Sequence, residues 1–263
     1  MNKEEFDLFW DSKDPKDRLM AVNNLSFIPS EEQVLRSMKD KSSHVRGYIL
    51  SRRDYACTEK ILDFCLNHKK SWVRRTFAMP QRGKKTQKQF DMGLLDEDAS
   101  VRAYMLENLD NKMSDEQILK IFADEREEPR HALAKRYDWT PTEDMFTEVF
   151  KGLAWDVRLA YMRRKDWVPT AAQIKHIFVF EFERLNSKIT YGNADFVVAV
   201  FVAIAENEHA ILSRSQYNAF LQYRDKFPMV DAAYRKYDAR IESNKLKTLM
   251  HVDKATEKNS IAL

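Results

Sequence analysis

The residues of this 263-residue chain that could meet a ligand are mainly cations with flat side chains beside them. Arg52 and Arg53 precede Tyr55. Arg82, Lys84 and Lys85 lie within four positions. Lys135 and Arg136 precede Trp139, and Arg163, Arg164 and Lys165 precede Trp167. Cations along one surface with rings between them can track a nucleic-acid backbone, the cations neutralising phosphates and the rings stacking on bases. Chemistry of the opposite sign is concentrated in Asp96-Glu97-Asp98 and in Asp124, Glu125, Glu127 and Glu128, a surface suited to a basic partner. Cys65-x-x-His68 is half of a zinc site, accompanied by Cys57 eight residues earlier; zinc takes four ligands, so no metal site is expected. The chain has no Gly-rich phosphate loop, no Gly-x-Ser-x-Gly and no His-Glu-x-x-His. No catalytic residue is therefore assigned, and no cofactor is expected.

These residues are positioned by an internal repeat. Arg18, Arg46, Arg74, Arg102, Arg130 and Arg158 are spaced by 28 residues, four of them after valine. A fixed period in this range marks stacked supersecondary units. Each unit reads as two short helices. In the fourth, Val101, Met105, Leu106 and Leu109 fall on one helical face, a polar break follows, and Ser114 opens a second apolar run, Ile118, Ile121, Phe122. Ser114 with Gln117 is a capping box, which recurs as Ser30/Gln33, Thr86/Gln89 and Thr170/Gln173, while Thr58 and Thr142 retain only the cap. The third unit departs from the pattern, with Pro80 and Gly83 between its helices.

The period and the Asp-x5-Arg spacing of Asp40/Arg46, Asp96/Arg102 and Asp124/Arg130 resemble HEAT-type helical repeats. The run Arg136-Tyr-Asp-Trp-Thr-Pro-Thr142 and its echo at Arg164–Thr170 resemble the leucine-rich-repeat variants. The resemblance implies an all-α, right-handed α-solenoid of six two-helix repeats. It also implies an aspartate–arginine ladder, broken where Ser12, His68 and Gly152 replace the aspartate. The iron–sulfur cluster of some variant-repeat proteins needs four cysteines; this chain has two. The expected organisation is a solenoid over 1–180, opened by a capping helix with Phe6, Phe9 and Trp10, then a non-repetitive helical cap with a polar, frayed tail over 181–263.

Five glycines and seven prolines suit an all-helical chain. Two cysteines make no disulfide framework and point to a reducing, cytoplasmic setting. The most apolar run, 194–205, is too short to span a bilayer, which needs about 20 residues, and reads as a buried helix. Charge is sorted along each repeat. The six windows between first and second helices carry eleven Lys/Arg against five Asp/Glu, and the six residues before each repeat arginine carry six against eleven. Helix macrodipoles favour this sorting by themselves. The leading expectation is a non-enzymatic scaffold that binds a protein partner. The alternative is DNA or RNA binding through the basic rim, as in the HEAT-like DNA glycosylases, whose size and helical architecture are similar. A third is self-assembly through the long C-terminal helices.

Overall fold

The computed structural model describes residues 3–152, 154–186, 191–224 and 227–260. Among them it is entirely helical, with no strand. Six 28-residue periods produce alternating helices. The first helix of each period is α2 (Pro15–Asn23), α4 (Ser43–Ser51), α6 (Ser71–Ala78), α8 (Ala99–Leu106), α10 (Glu127–Ala134) or α12 (Trp155–Met162). The second is α3 (Glu31–Met38), α5 (Glu59–Leu66), α7 (Gln87–Gly93), α9 (Asp115–Phe122), α11 (Glu143–Gly152) or α13 (Ala171–Asn186). α1 (Lys3–Asp11) precedes them, and α14 (Tyr191–Glu206), α15 (Arg214–Arg224) and α16 (Pro228–Ser260) follow. α16 runs through the tail expected to fray, because nothing between Met229 and Ser260 is Gly or Pro and strong helix formers dominate. The side chains of residues 246–260 lie outside the described set.

The chain forms two compact bodies, Met1–Asp138 and Trp139–Leu263. In the N-terminal body α2 packs on α1 and α4, and α8 on α6 and α10, while α5 packs on α3 and α7. Each second helix also meets the next first helix, as α3 with α4, α5 with α6, α7 with α8 and α9 with α10. The core lies between these two layers. Val22, Ile49, Phe77 and Met105 enter it from first helices, and Val34, Ile61, Phe90 and Ile121 from second helices. Phe6 and Trp10 of α1 are buried too. Phe6 meets Phe27 at 5.2 Å, and the Trp10 indole N–H donates to the Gln33 carbonyl at 3.2 Å.

In the C-terminal body α11 packs on α12 and α13, α12 on α14, and α14 on α13 and α16. The core of this body includes an aromatic cluster: Trp167, after α12, lies 6.0 Å from Phe146 and 5.2 Å from Phe150 of α11. The apolar run read as a buried helix lies in α14, whose described part buries Val198, Val200, Phe201 and Ala203–Ala205.

Helices of eight or nine residues leave as many backbone groups unpaired as paired, so their ends must be capped. The capping boxes form as the spacing predicts. Ser30, Thr86, Ser114 and Thr170 each accept the N–H three residues on, and the glutamine there accepts the N–H of the cap. The glutamine amide then reaches the preceding repeat: Gln89 Nε2 donates to Asp63 at 2.6 Å and Gln117 Nε2 to Asp91 at 2.9 Å.

The arginine ladder joins neighbouring repeats. Within a repeat the arginine donates to the main-chain carbonyl six residues earlier, whatever the side chain there: Arg18 to Ser12, Arg74 to His68, Arg102 to Asp96 and Arg130 to Asp124, at 2.7–2.9 Å. The carboxylates pair with the arginine of the repeat before, 22 residues back. Asp40 accepts Nε and Nη2 of Arg18 (2.6 and 3.0 Å), Asp96 those of Arg74 (2.7 and 2.9 Å), and Asp124 those of Arg102 (both 2.7 Å). Ser12 and His68 therefore leave their own repeat's arginine fully engaged. Gly152 lies outside the residues whose side chains are described. Burial alone would raise the Asp40 carboxyl, but the hydrogen bonds from Arg18 and the Ser42 N–H outweigh it and hold it below the usual range.

A partly exposed rung and a buried one should differ in worth. Arg102→Gln is expected to cost roughly 1–2 kcal/mol, the scale of charge-assisted hydrogen bonds partly replaced by water. Arg136→Met, at a site 1% exposed, should cost about 3–5 kcal/mol by stranding a carboxylate and three carbonyls. Urea midpoints of the two variants test this ordering.

Candidate interaction surface

The basic rim divides into two kinds of side chain. Arg52, Arg82, Lys85, Arg136 and Arg164 are buried, as is Trp167, which corrects their assignment to an open binding rim. Arg52, Arg136 and Arg164 sit one turn or less beyond a first helix. Arg52 Nη1 donates to the carbonyls of Val22 (2.8 Å) and Asn24 (3.0 Å), and Nη2 to that of Phe27 (2.8 Å). Arg136 does the same with Leu106 (2.8 Å), Asn108 (3.3 Å) and Asn111 (2.6 Å). Arg164 Nη2 donates to the Trp139 carbonyl at 2.7 Å, and its guanidinium lies 5.1 Å from the Trp139 ring centroid. A cation at a helix C-terminus satisfies orphan carbonyls and opposes the negative end of the dipole.

Arg52, Arg136 and Arg164 are each neutralised by the aspartate two residues on. Asp54, Asp138 and Asp166 each grip Nε and Nη2 at 2.5–2.9 Å. Burial would raise the Asp138 carboxyl, yet the Arg136 hydrogen bond holds it below the usual range. In the third repeat Pro80 occupies the column and cannot reach. Arg82, two residues later, supplies the guanidinium instead, donating to the Arg52 carbonyl (2.7 Å) and the Tyr55 hydroxyl (3.0 Å). The shift is made by a 3-10 turn, Pro80–Arg82, and by Gly83 at φ 112°. A Cβ at Gly83 would stand 3.0 Å from the Cys57 carbonyl oxygen, so both sterics and φ require glycine there. In the fourth repeat Asn108 holds the column and donates to the Ala78 carbonyl at 2.9 Å.

Lys85 completes this cluster. It is 2% exposed, and its Nζ donates to the carbonyls of Met79 (2.7 Å) and Gly83 (2.8 Å). Burial pulls its pKa down to about 8 and pushes the Cys57 thiol up, despite the nearby charges of Arg82 and Lys85. Cys65 is buried with its sulfur 3.6 Å from that of Met38, and both cysteines are free thiols. His68 accepts the Lys70 N–H through Nδ1 (3.1 Å) and faces Phe64. Among the described residues no group of three or more potential metal ligands comes together.

Arg53, Lys84, Lys135, Arg163 and Lys165 are the rim cations that stay exposed, with Lys84 3.6 Å from Asp110. Trp139 is half-buried. The acidic side is thinned as well. Asp96 and Asp124 are sheltered in the ladder, and Asp98 caps α8 through the Ser100 N–H at 2.9 Å. Glu97 meets Arg74 at 3.0 Å. Glu125, Glu127 and Glu128 remain as exposed acids.

A surface that the rim reading passed over lies on the outer sides of the first helices. Met20 of α2, Tyr48 of α4 and Trp72 of α6 are 54%, 44% and 44% exposed. Outside the core the first helices also carry His44, Gly47, Thr76, Ser100, Ala103, Tyr104 and Ala132, with Lys16 one turn before Met20 and Arg75 one turn after Trp72. The outer sides of the second helices alternate charges instead: Glu32, Arg36 and Lys39 on and after α3, Glu59, Lys60 and Asp63 on α5, Asp115, Glu116 and Lys120 on α9. The signal was present in the sequence as apolar residues off the buried stripe, with Met20 and Tyr48 one period apart. No helix among the described residues is long and apolar enough to cross a membrane. No protein-family model, curated protein or solved structure matches the chain.

The depressed pKa of Lys85 makes a signed prediction. Burial brings the folded group's pKa to about 8, against the ordinary lysine value of 10.5 in the unfolded chain. Below that window both states hold the proton and folding bears the full burial penalty. Through the window the unfolded state holds more protons, so stability rises with pH. The stability of the wild type relative to Lys85→Met should therefore climb between about pH 8 and 10.5, and a flat difference in urea titrations would show an unperturbed lysine.

Proposed function

We propose that the chain is an α-solenoid scaffold of six 28-residue repeats with C-terminal helices. In this reading it holds a protein partner against the outer face of its first helices and performs no chemistry of its own. The observation that supports this reading is the exposure of Met20, Tyr48 and Trp72 on successive first helices, within a face poor in charge. Aromatic side chains with polar neighbours are the usual anchors of protein recognition, and charged side chains are depleted at interface centres. The loss of Arg52, Arg82, Lys85, Arg136 and Arg164 to carbonyl capping halves the cations left to follow a phosphate backbone. Two free thiols agree with a reducing, cytoplasmic setting.

The experiment is partner capture with three full-length baits. Wild type and the rim reversal Arg53→Glu/Lys135→Glu should retain the same partner, and Tyr48→Ala/Trp72→Ala should lose it at least tenfold. Substitutions at exposed sites usually change stability by about 0.5 kcal/mol or less, so the folded baits remain comparable. In parallel, anisotropy with single- and double-stranded DNA and RNA between about 50 and 200 mM salt is expected to show no steeply salt-dependent binding. Micromolar binding abolished by Arg163→Glu/Lys165→Glu would replace this reading with nucleic-acid recognition.

A further inference from the structure

Four ladder arginines have the corresponding position of the next repeat inside the N-terminal body. Arg18, Arg74 and Arg102 grip an aspartate 22 residues on. For Arg46 that position is His68. Arg46 is nonetheless held like the others. Its Nη1 donates to the carbonyls of Asp40 and Lys41, as Arg18 does to Ser12 and Lys13 and Arg102 to Asp96 and Glu97. In Arg18, Arg74 and Arg102 the same hold on Nη1 leaves the Nε/Nη2 edge to the turn of the next repeat, which for Arg46 is the His68–Lys70 turn. Among the described residues no acceptor meets that edge, and Arg46 is partly exposed.

The turn it faces is inverted in charge. Where the sister turns read Asp96-Glu97-Asp98 and Asp124-Glu125, this one reads His68-Lys69-Lys70, and both lysines are exposed. His68 keeps the backbone role of the missing aspartate, since its Nδ1 accepts the Lys70 N–H just as Asp40 accepts the Ser42 N–H. The ring is thereby left with its proton on Nε2, a donor and not an acceptor. Lys41 adds a further exposed cation.

We propose that Arg46 and the His68–Lys70 turn form a recognition site for a carboxylate supplied from outside the chain. The three filled slots define its ligand. Each holds a planar pair of oxygens side by side on Nε and Nη2, the fork geometry that a carboxylate matches and that a lone lysine does not provide. The inference stands on the ladder geometry and holds whether or not a protein partner binds the first-helix face. The carboxylate can belong to a polypeptide side chain or to a small free acid, and the test separates the two sources.

The test follows the arginine Nε–Hε resonances of the 15N-labelled full chain during titration with acetate, at constant ionic strength set with chloride. The Arg46 resonance should shift and saturate, while those of Arg18, Arg74 and Arg102 stay fixed. His68→Asp fills the slot from within, and should weaken the acetate response at least tenfold and raise the melting temperature. His68→Asn, which keeps the turn acceptor without the charge, should keep the response. A titration with N-acetyl-glutamate amide runs beside acetate: tighter binding assigns the ligand to a polypeptide, and equal binding to a free acid. An unmoved Arg46, an undiminished response in His68→Asp, or tighter binding of methyl phosphate than of acetate would overturn the proposal. So would a linear shift shared with exposed Arg53, which would mean an adventitious ion only.

Discussion

The structure depends on closing the ends of very short helices. A helix of eight residues offers four N–H groups and four carbonyls with no internal partner, and the first twelve helices run only seven to ten residues. Water cannot serve ends that face a neighbouring repeat. The N–H ends of second helices are closed locally, by Ser or Thr caps and, in four of them, a glutamine. The carbonyl ends are closed at a distance, by a guanidinium or amide from the following repeat. Arginine suits this task because one planar head can meet three carbonyls and a carboxylate together, as Arg52 and Arg136 do.

The same arrangement explains why charge appears sorted along the repeat. The positive stretch after each first helix and the negative stretch before the next one resemble two partner-facing edges when counted along the sequence. In three dimensions half of the rim cations turn inward onto carbonyls. Most of the negative stretch is taken up by the ladder and by helix N-termini, as with Asp96, Asp98 and Asp124. What is left for solvent is a sparse set of cations and three glutamates. The first-helix face gained no notice from charge because it has little.

Periodicity and caps were legible because both are local. Arg18 to Arg158 fixed the spacing, and Ser-x-x-Gln located second-helix starts to within a residue. The ladder between neighbouring units was legible in its residues, but the within-repeat bond of each arginine to the main-chain carbonyl six residues earlier was not, because it is independent of the side chain there. Burial of the rim was illegible for a related reason. Arg52 and Arg53 are adjacent and alike in type, and only helix phase sends one inward to Val22 and Asn24 and the other to water. The aspartate two residues after Arg52, Arg136 and Arg164 was the available clue, since an exposed guanidinium needs no resident counter-ion. Gly83 was visible as an irregularity, though not as the hinge that lets Arg82 replace a proline.

Because each carbonyl end is closed from about 30 residues downstream, the chain has a direction in time as well as in space. A first helix emerging from the ribosome lacks its distant guanidinium, and of the six only α2 and α8 carry a side-chain N-cap of their own. At roughly 5–20 residues per second, synthesis of the next repeat takes on the order of 1.5–6 s, and during that interval the newest helix is held by packing alone. Each nascent repeat thus waits on its successor, and the last one waits on the C-terminal helices, where Asn207 donates to the Trp167 carbonyl at 3.0 Å. A stop codon placed after any repeat would leave its final helix in the condition of the nascent one.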